Sequence, residues 1–163
     1  GGKEASAPKR MRAAEIMRHA ADSVLKLNPA TKIVMMGDLN DDATDASITE
    51  VIGAKGNMKE LSKCGYFNPF INVLKSGHGT LAYQDSWNLF DNIIVSENLA
   101  TGSDGVLKIQ KAPKAKFYGN IFRMPYMLQK EGQYKGYPLR TFVGNNFQDG
   151  FSDHFPVYIY ISK

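Results

Sequence analysis

The chain has 163 residues, 43% hydrophobic and 22% charged, which places it in the ordinary globular range and predicts one domain with a sizeable core rather than two. Its 20 lysines and arginines against 16 aspartates and glutamates leave a formal net charge of +4, a mild bias towards anionic partners such as phosphate esters or nucleic acid. A single cysteine, Cys64, excludes an internal disulfide framework and a Cys-rich zinc site, so any metal is expected to have oxygen ligands; no apolar run approaches the roughly 20 residues of a membrane span.

The opening GGKEASAPKRMR does not have the pattern of a signal peptide. A chain that runs from Gly1-Gly2 almost at once into a helix is expected to begin inside a longer protein. Ser6 is placed to cap that helix, with Pro8 in its first turn and Ala13, Ile16, Met17, Ala20, Val24 and Leu27 on one apolar stripe. Asn28-Pro29 ends it. Lys32 to Met36 reads as a short buried strand, because Ile33-Val34 are β-branched and Gly37 opens its exit. SITEVIGA then predicts a short helix, with Ser47 and Glu50 at capping-box spacing. A β-α alternation of this kind favours a layered α/β fold.

From Thr80 onward strands dominate. TLAYQ, DNIIVS, GVLKIQ and FPVYIYI are separated by turn-rich segments, and the last alternates Phe155, Val157, Ile159 and Ile161 against Tyr158 and Tyr160. Residues 112–150 are rich in Gly, Asn and Tyr with weak periodicity; the aromatics predict ordered loops rather than a disordered linker. There is no internal repeat and no low-complexity tract.

Three acidic clusters stand at strand ends. In IVMMGDLNDD, residues Asp38, Asn40 and Asp42 fit the first three positions of an EF-hand calcium loop, but the sixth position is Ala43 instead of Gly and the twelfth is Thr49 instead of Glu. A solvated turn whose Asp and Asn side chains cap the next helix is one reading. Against it, the carboxyl end of a buried strand is where open α/β sheets present binding and catalytic groups. Asp153-His154 precedes the last strand, as a structural hydrogen-bonding pair or a catalytic one. Asp91 opens DNIIVS, where a carboxylate needs a partner.

Taken in order, Gly37-Asp38-Leu39-Asn40, Asp91 in NLFDNIIVS and Ser152-Asp153-His154-Phe155-Pro156 resemble the G-D-F-N, strand-Asp and S-D-H-x-P motifs of the endonuclease/exonuclease/phosphatase superfamily. That superfamily includes pancreatic deoxyribonuclease, abasic-site endonucleases, inositol polyphosphate 5-phosphatases and bacterial sphingomyelinases. Leu39 stands where Phe is usual. The resemblance implies that Asp38 orients and deprotonates the attacking water, that Asn40 holds that water or a phosphate oxygen, and that Asp153 helps bind a divalent metal. It further implies that His154 donates to a non-bridging phosphate oxygen and that Asp91 fixes its ring. Mg²⁺, or Mn²⁺ in its place, suits such a site because it is hard, keeps its waters and takes one or two carboxylates plus substrate phosphate.

The same resemblance implies an upstream Asn, a metal-binding Glu and a further His, and none of Glu4, Glu15, Glu50, Glu60, Glu97 or Glu131 stands where that Glu belongs. Residues 1–163 are therefore expected to be the carboxyl-terminal portion of one domain, half of a four-layer α/β sandwich with a mainly antiparallel or mixed sheet and helices on its outer face. The inner face of strands 32–37, 91–96 and 155–161 is then expected to need a cover: the missing amino-terminal half, or a second copy in a homodimer. The implied activity of the whole protein is metal-dependent hydrolysis of a phosphodiester or phosphomonoester, with nucleic acid, a phospholipid head group or a sugar phosphate as substrate, and the fragment alone inactive. The alternative is a non-catalytic phosphate- or nucleic-acid-binding module that keeps the fold. Lys108, Lys111, Lys114 and Lys116 with Phe117 and Tyr118 suggest either a strand-binding surface or a solvated basic loop. Trp87 reads as core or pocket wall, Arg140 as a phosphate contact, and His78 and His19 as surface residues.

Overall fold

A computed structural model describes residues 2–103 and 105–163. The chain opens with helix α1 (Lys3–Leu27) and crosses into strand β1 (Val34–Asp38). A single wide helical turn at Ser47–Val51 leads to β2 (Ala54–Lys55), β3 (Tyr66–Phe67) and α2 (Phe70–Lys75). The hairpin β4 (Leu81–Tyr83) and β5 (Ser86–Asn88) then feeds β6 (Asp91–Ser96) and the short helix α3 (Glu97–Ala100). Four strands form the main sheet in the order β1-β6-β3-β2, antiparallel except for the parallel β2–β3 pair. The rest of the chain is ribbons: β7 (Lys108–Gln110), β8 (Asn120–Ile121), the hairpin β9 (Phe142–Val143) and β10 (Asn146–Phe147), β11 (Val157–Tyr158) and β12 (Tyr160–Ser162). Strand β11 pairs with β8 and β12 with β7. This is an α/β fold with open sheets.

The main sheet is covered on both faces because side chains alternate across it. Met35, Ile94, Tyr66 and Ala54 bury against Ala14, Ala21 and Leu25 of α1. On the other face Phe67, Ile93 and Val95 pack with Phe70, Ile71 and Val73 of α2, with Ile109, and with the half-buried Ile121, Val157 and Ile159. Central β6 is buried along nearly its whole length.

Several expectations are corrected. Helix α1 starts at Lys3, and Ser6 lies inside it with its hydroxyl donating to the Gly2 carbonyl. Its buried stripe is Ala14, Ala21 and Leu25, with Met17 packed alongside, while Ile16, Val24 and Leu27 are exposed. The helix is rotated so that two cations face inward: Arg10 pairs with Asp41, and Arg18 donates to the Ile52 carbonyl. Ser47 forms no capping box; its hydroxyl donates to Asp41 Oδ2 at 2.6 Å. The last strand is not one element but two, exchanging partners around Ile159. Nor is the inner face left bare at 91–96, where Ile93 and Val95 lie under the carboxyl-terminal ribbons. Exposed apolar side chains remain on edge strand β1, where Val34 and Met36 are 42% and 70% exposed, and on β12, where Tyr160 and Ile161 are also exposed.

Ile94 is completely buried, so Ile94→Ala should cost about 3 kcal/mol in a urea titration through lost transfer energy and a residual cavity. Met36→Ala in the same chain should stay within about 0.5 kcal/mol, because its side chain is largely in water already.

Candidate active site

The acids that follow β1 divide into two groups. Asp41 is buried, accepts from the Ser47 hydroxyl and pairs with Arg10 Nε at 2.7 Å. Asp42 accepts from the Leu89 backbone N–H at 2.7 Å and from the Asn88 amide at 2.9 Å. Asp45 accepts from the Asp42 N–H at 2.8 Å and pairs with Lys3 at 2.6 Å. These three carboxylates are spent on holding α1, the loop and the β4–β5 hairpin together, which removes Asp42 as a calcium ligand.

Asp38 and Asn40 remain exposed. Gly37 reaches them through φ 153°, a conformation that side-chain-bearing residues rarely adopt, and Asn40 sits at φ 53°, where Asn is tolerated. The Asn40 N–H donates to Asp38 Oδ1 at 2.9 Å, so the two side chains belong to one rigid turn. They share a wall of a cavity of about 620 Å³ between this turn and α1.

Across the β1–β6 ladder Asp38 lies opposite Asp91. Asp91 Oδ2 accepts from His154 Nδ1–H at 2.7 Å and also from the hydroxyl of Thr80. Thr80 is fully buried, and its carbonyl accepts from the Phe155 N–H at 2.8 Å, so the strand entrance carrying His154 is pinned to the residue that steadies Asp91. With Nδ1 committed, the other ring nitrogen is the one that can meet a substrate. Phe155 behind the imidazole stacks on Trp87 with centroids 6.1 Å apart, and the Arg123 guanidinium covers both rings. Trp87 is thus a buttress. Nothing in the sequence around Thr80 marks it as a partner of Asp91; only tertiary pairing reveals it.

Asp153, next to the histidine, is exposed and has Arg140 Nη1 at 3.9 Å from its Oδ2. The Arg140 segment is held by Phe151 N–H to Leu139 O at 3.0 Å and Gln148 N–H to Thr141 O at 2.8 Å. It also rests on the bare backbone of Gly150, where a Cβ would stand 2.0 Å from the Leu139 oxygen. His78 and His19 are exposed, and the lysine run contributes Lys111 and Lys116 to a separate cavity that none of these site residues lines.

The hydrogen bond to Asp91 pushes the His154 pKa above its ordinary value; partial burial opposes this, and the negative charges of Asp91, Asp153 and Asp38 add to it. Among the described residues no three His, Cys, Asp or Glu side chains form a closed metal cage. Exposed carboxylate oxygens with room for water instead fit a hard divalent cation that binds through one or two acids.

The α/β fold thus gathers an Asp-Asn turn, an Asp-anchored imidazole and an open carboxylate at one end of a sheet. The sequence matches the model of the Endonuclease/Exonuclease/phosphatase family over residues 1–163, and the chain belongs to that family. Its members act on phosphoester bonds and generally use divalent metals. No curated protein and no solved structure matches the chain.

The raised histidine pKa has a definite sign. Protonated His154 should stabilise the fold fully below the unfolded value of about 6.5, and that contribution should fade as pH rises through the native midpoint. An NMR titration should place the His154 midpoint above 6.5, and Asp91→Asn should bring it back towards that value.

Proposed function

We propose that the chain carries the water-activating and phosphate-stabilising groups of a metal-dependent phosphoesterase, and the observation that supports this most is the 2.7 Å Asp91–His154 pair on the strand facing Asp38. Asp38 accepts a proton from water as its oxygen attacks phosphorus. Asn40, locked to Asp38 by its own N–H, orients that water or a phosphate oxygen through its amide. His154 donates from its outer ring nitrogen to a non-bridging oxygen on which charge develops, and Asp91 holds the ring and favours its protonated form. The P–O ester bond opposite the water breaks, and the leaving oxygen departs as the alcohol or alkoxide. Asp153 would hold Mg²⁺ or Mn²⁺, which when bound would neutralise phosphate charge.

The edge strand belongs to the same reading. A further carboxylate for the metal comes from the amino-terminal half of the family domain, which packs on the open side of β1 over Val34 and Met36. The 163 residues alone then hold part of the site and show little turnover.

In the full-length protein EDTA should abolish phosphoester hydrolysis and Mg²⁺ or Mn²⁺ should restore it; activity indifferent to chelation would contradict the assignment. Asp38→Asn and His154→Ala should each lower kcat by about 10² to 10⁴-fold with unchanged circular dichroism. Robust turnover by the isolated 163 residues would refute the divided site. Sedimentation of that chain as a stable dimer would assign the cover of β1 to a second copy.

A further inference from the structure

A second cavity of about 430 Å³ begins where the active-site cluster ends. Two connections join them. Arg140 lines this cavity and stands 3.9 Å from Asp153. Strand β4 (Leu81–Tyr83) directly follows Thr80, which donates to Asp91, and ends at Tyr83 on the cavity wall, about 10 Å further on at strand rise. A group esterified to a phosphate at His154 is therefore within reach of the cavity. The volume lies in the usual range for small-molecule sites.

The lining is specific in kind. Tyr83, Tyr134 and Tyr137 give it aromatic surface, and Gln84, Gln129, Gln133 and Gln148 give it primary amides, each both donor and acceptor. Among the described lining residues Asp85 is the one carboxylate and Arg140 the one cation. Asp85 is aimed: it sits in a two-residue turn with Gln84, both at positive φ (62° and 49°), and its Oδ1 accepts from the Tyr137 hydroxyl at 2.7 Å. Tyr137 in turn rests edge-on against Trp87, the ring that backs Phe155 beside His154. The wall of the cavity and the wall of the catalytic histidine are one packed unit.

We infer that this cavity is the subsite for the organic part of the substrate, and that it takes a polyhydroxylated ring, a sugar or cyclitol phosphate, with Arg140 gripping the ester phosphate at its mouth. The inference rests on the phosphoesterase reading above and narrows its substrate. Amides and a carboxylate pair with adjacent hydroxyls while a tyrosine face covers the C–H side of a ring. An acyl chain would leave those polar groups without partners. Tyr134 and Tyr137 touch each other, centroids 5.6 Å apart and tilted by 43°, and so leave no slot between them for a nucleobase to stack. One cation is too few to track a polynucleotide backbone.

The test is equilibrium binding to the full-length protein by calorimetry, with EDTA present so that no turnover occurs, using glucose 6-phosphate, inositol 1-phosphate, adenosine 5′-phosphate, phosphocholine and inorganic phosphate as probes. At least one of the two polyol phosphates should bind about tenfold more tightly than inorganic phosphate and more tightly than the nucleotide or phosphocholine. Gln133→Ala and Tyr134→Ala, both at exposed side chains and therefore safe for folding, should erase that preference, and Arg140→Gln should weaken every phosphate probe. Equal affinity for polyol phosphates and inorganic phosphate, no binding of any probe, or a preference for the nucleotide or phosphocholine overturns the subsite. Polyol-phosphate binding that depends on Gln133 and Tyr134 in a protein without hydrolytic activity would keep the subsite and remove the catalytic reading, whereas metal-dependent hydrolysis with no effect of either variant on binding would do the reverse.

Discussion

The antiparallel register of β1 against β6 sets Asp38 directly across from Asp91, and the arrangement of the site follows from how that juxtaposition of like charge is relieved. Opposed carboxylates on neighbouring strands repel by several tenths of a kcal/mol to about 1 kcal/mol, and more where water is excluded. Two donors converge on Asp91: the Thr80 hydroxyl and the His154 ring. The hydrogen bond to Asp91 and the nearby acid charges raise the His154 pKa, so this pair of acids favours the protonated ring. The same contacts that make the strand ends tolerable therefore fix the imidazole ring through its Nδ1. Asp38 stays exposed to water, with its Oδ1 accepting from the Asn40 N–H.

A second use of charge keeps Asp38 separate from its neighbours. Five residues of the loop after β1 could in principle compete for one cation, but Asp41, Asp42 and Asp45 are bonded to Arg10, Lys3, Ser47, Asn88 and the Leu89 backbone. The Arg10–Asp41 pair is largely out of water, so its value lies less in net stability than in fixing where α1 lies over the loop. Helix, loop and hairpin are locked together by these three acids. The turn that bears Asp38 and Asn40 is left rigid and exposed.

Legibility in the sequence followed the range of the interactions. The existence of the β1 strand could be read from IVMMG because its signal is local, a run of apolar residues ended by glycine, but its expected burial was wrong: it spans Val34–Asp38 at the sheet edge with only Met35 buried. The α/β class was legible for the same reason. The rotation of α1 was not: Ile16, Val24 and Leu27 are more apolar than Arg10 and Arg18, and only the acceptors waiting on Asp41 and Ile52 turn the cationic side inward. FPVYIYI read as one strand because periodicity carries no information about partners, and the change from β8 to β7 breaks it. The candidate site residues were picked out through three motifs in order, and the fold brings Asp38, Asp91 and His154 together. Their spacing says which residues belong together, but the buried threonine between Asp91 and Phe155 carries no motif and comes only from the fold.

The tight turn at Gln84-Asp85 has a consequence for how this sequence can change over time. Two side-chain-bearing residues in the left-handed region are held there at a cost that Asn-Gly would largely remove, so drift towards greater hairpin stability is open at every generation. Yet glycine at 85 would delete the carboxylate that anchors the Tyr137 hydroxyl, and with it the bond that ties the loop ring to the hairpin. The strained pair thus trades hairpin stability for the hydrogen bond that fixes the Tyr137 ring.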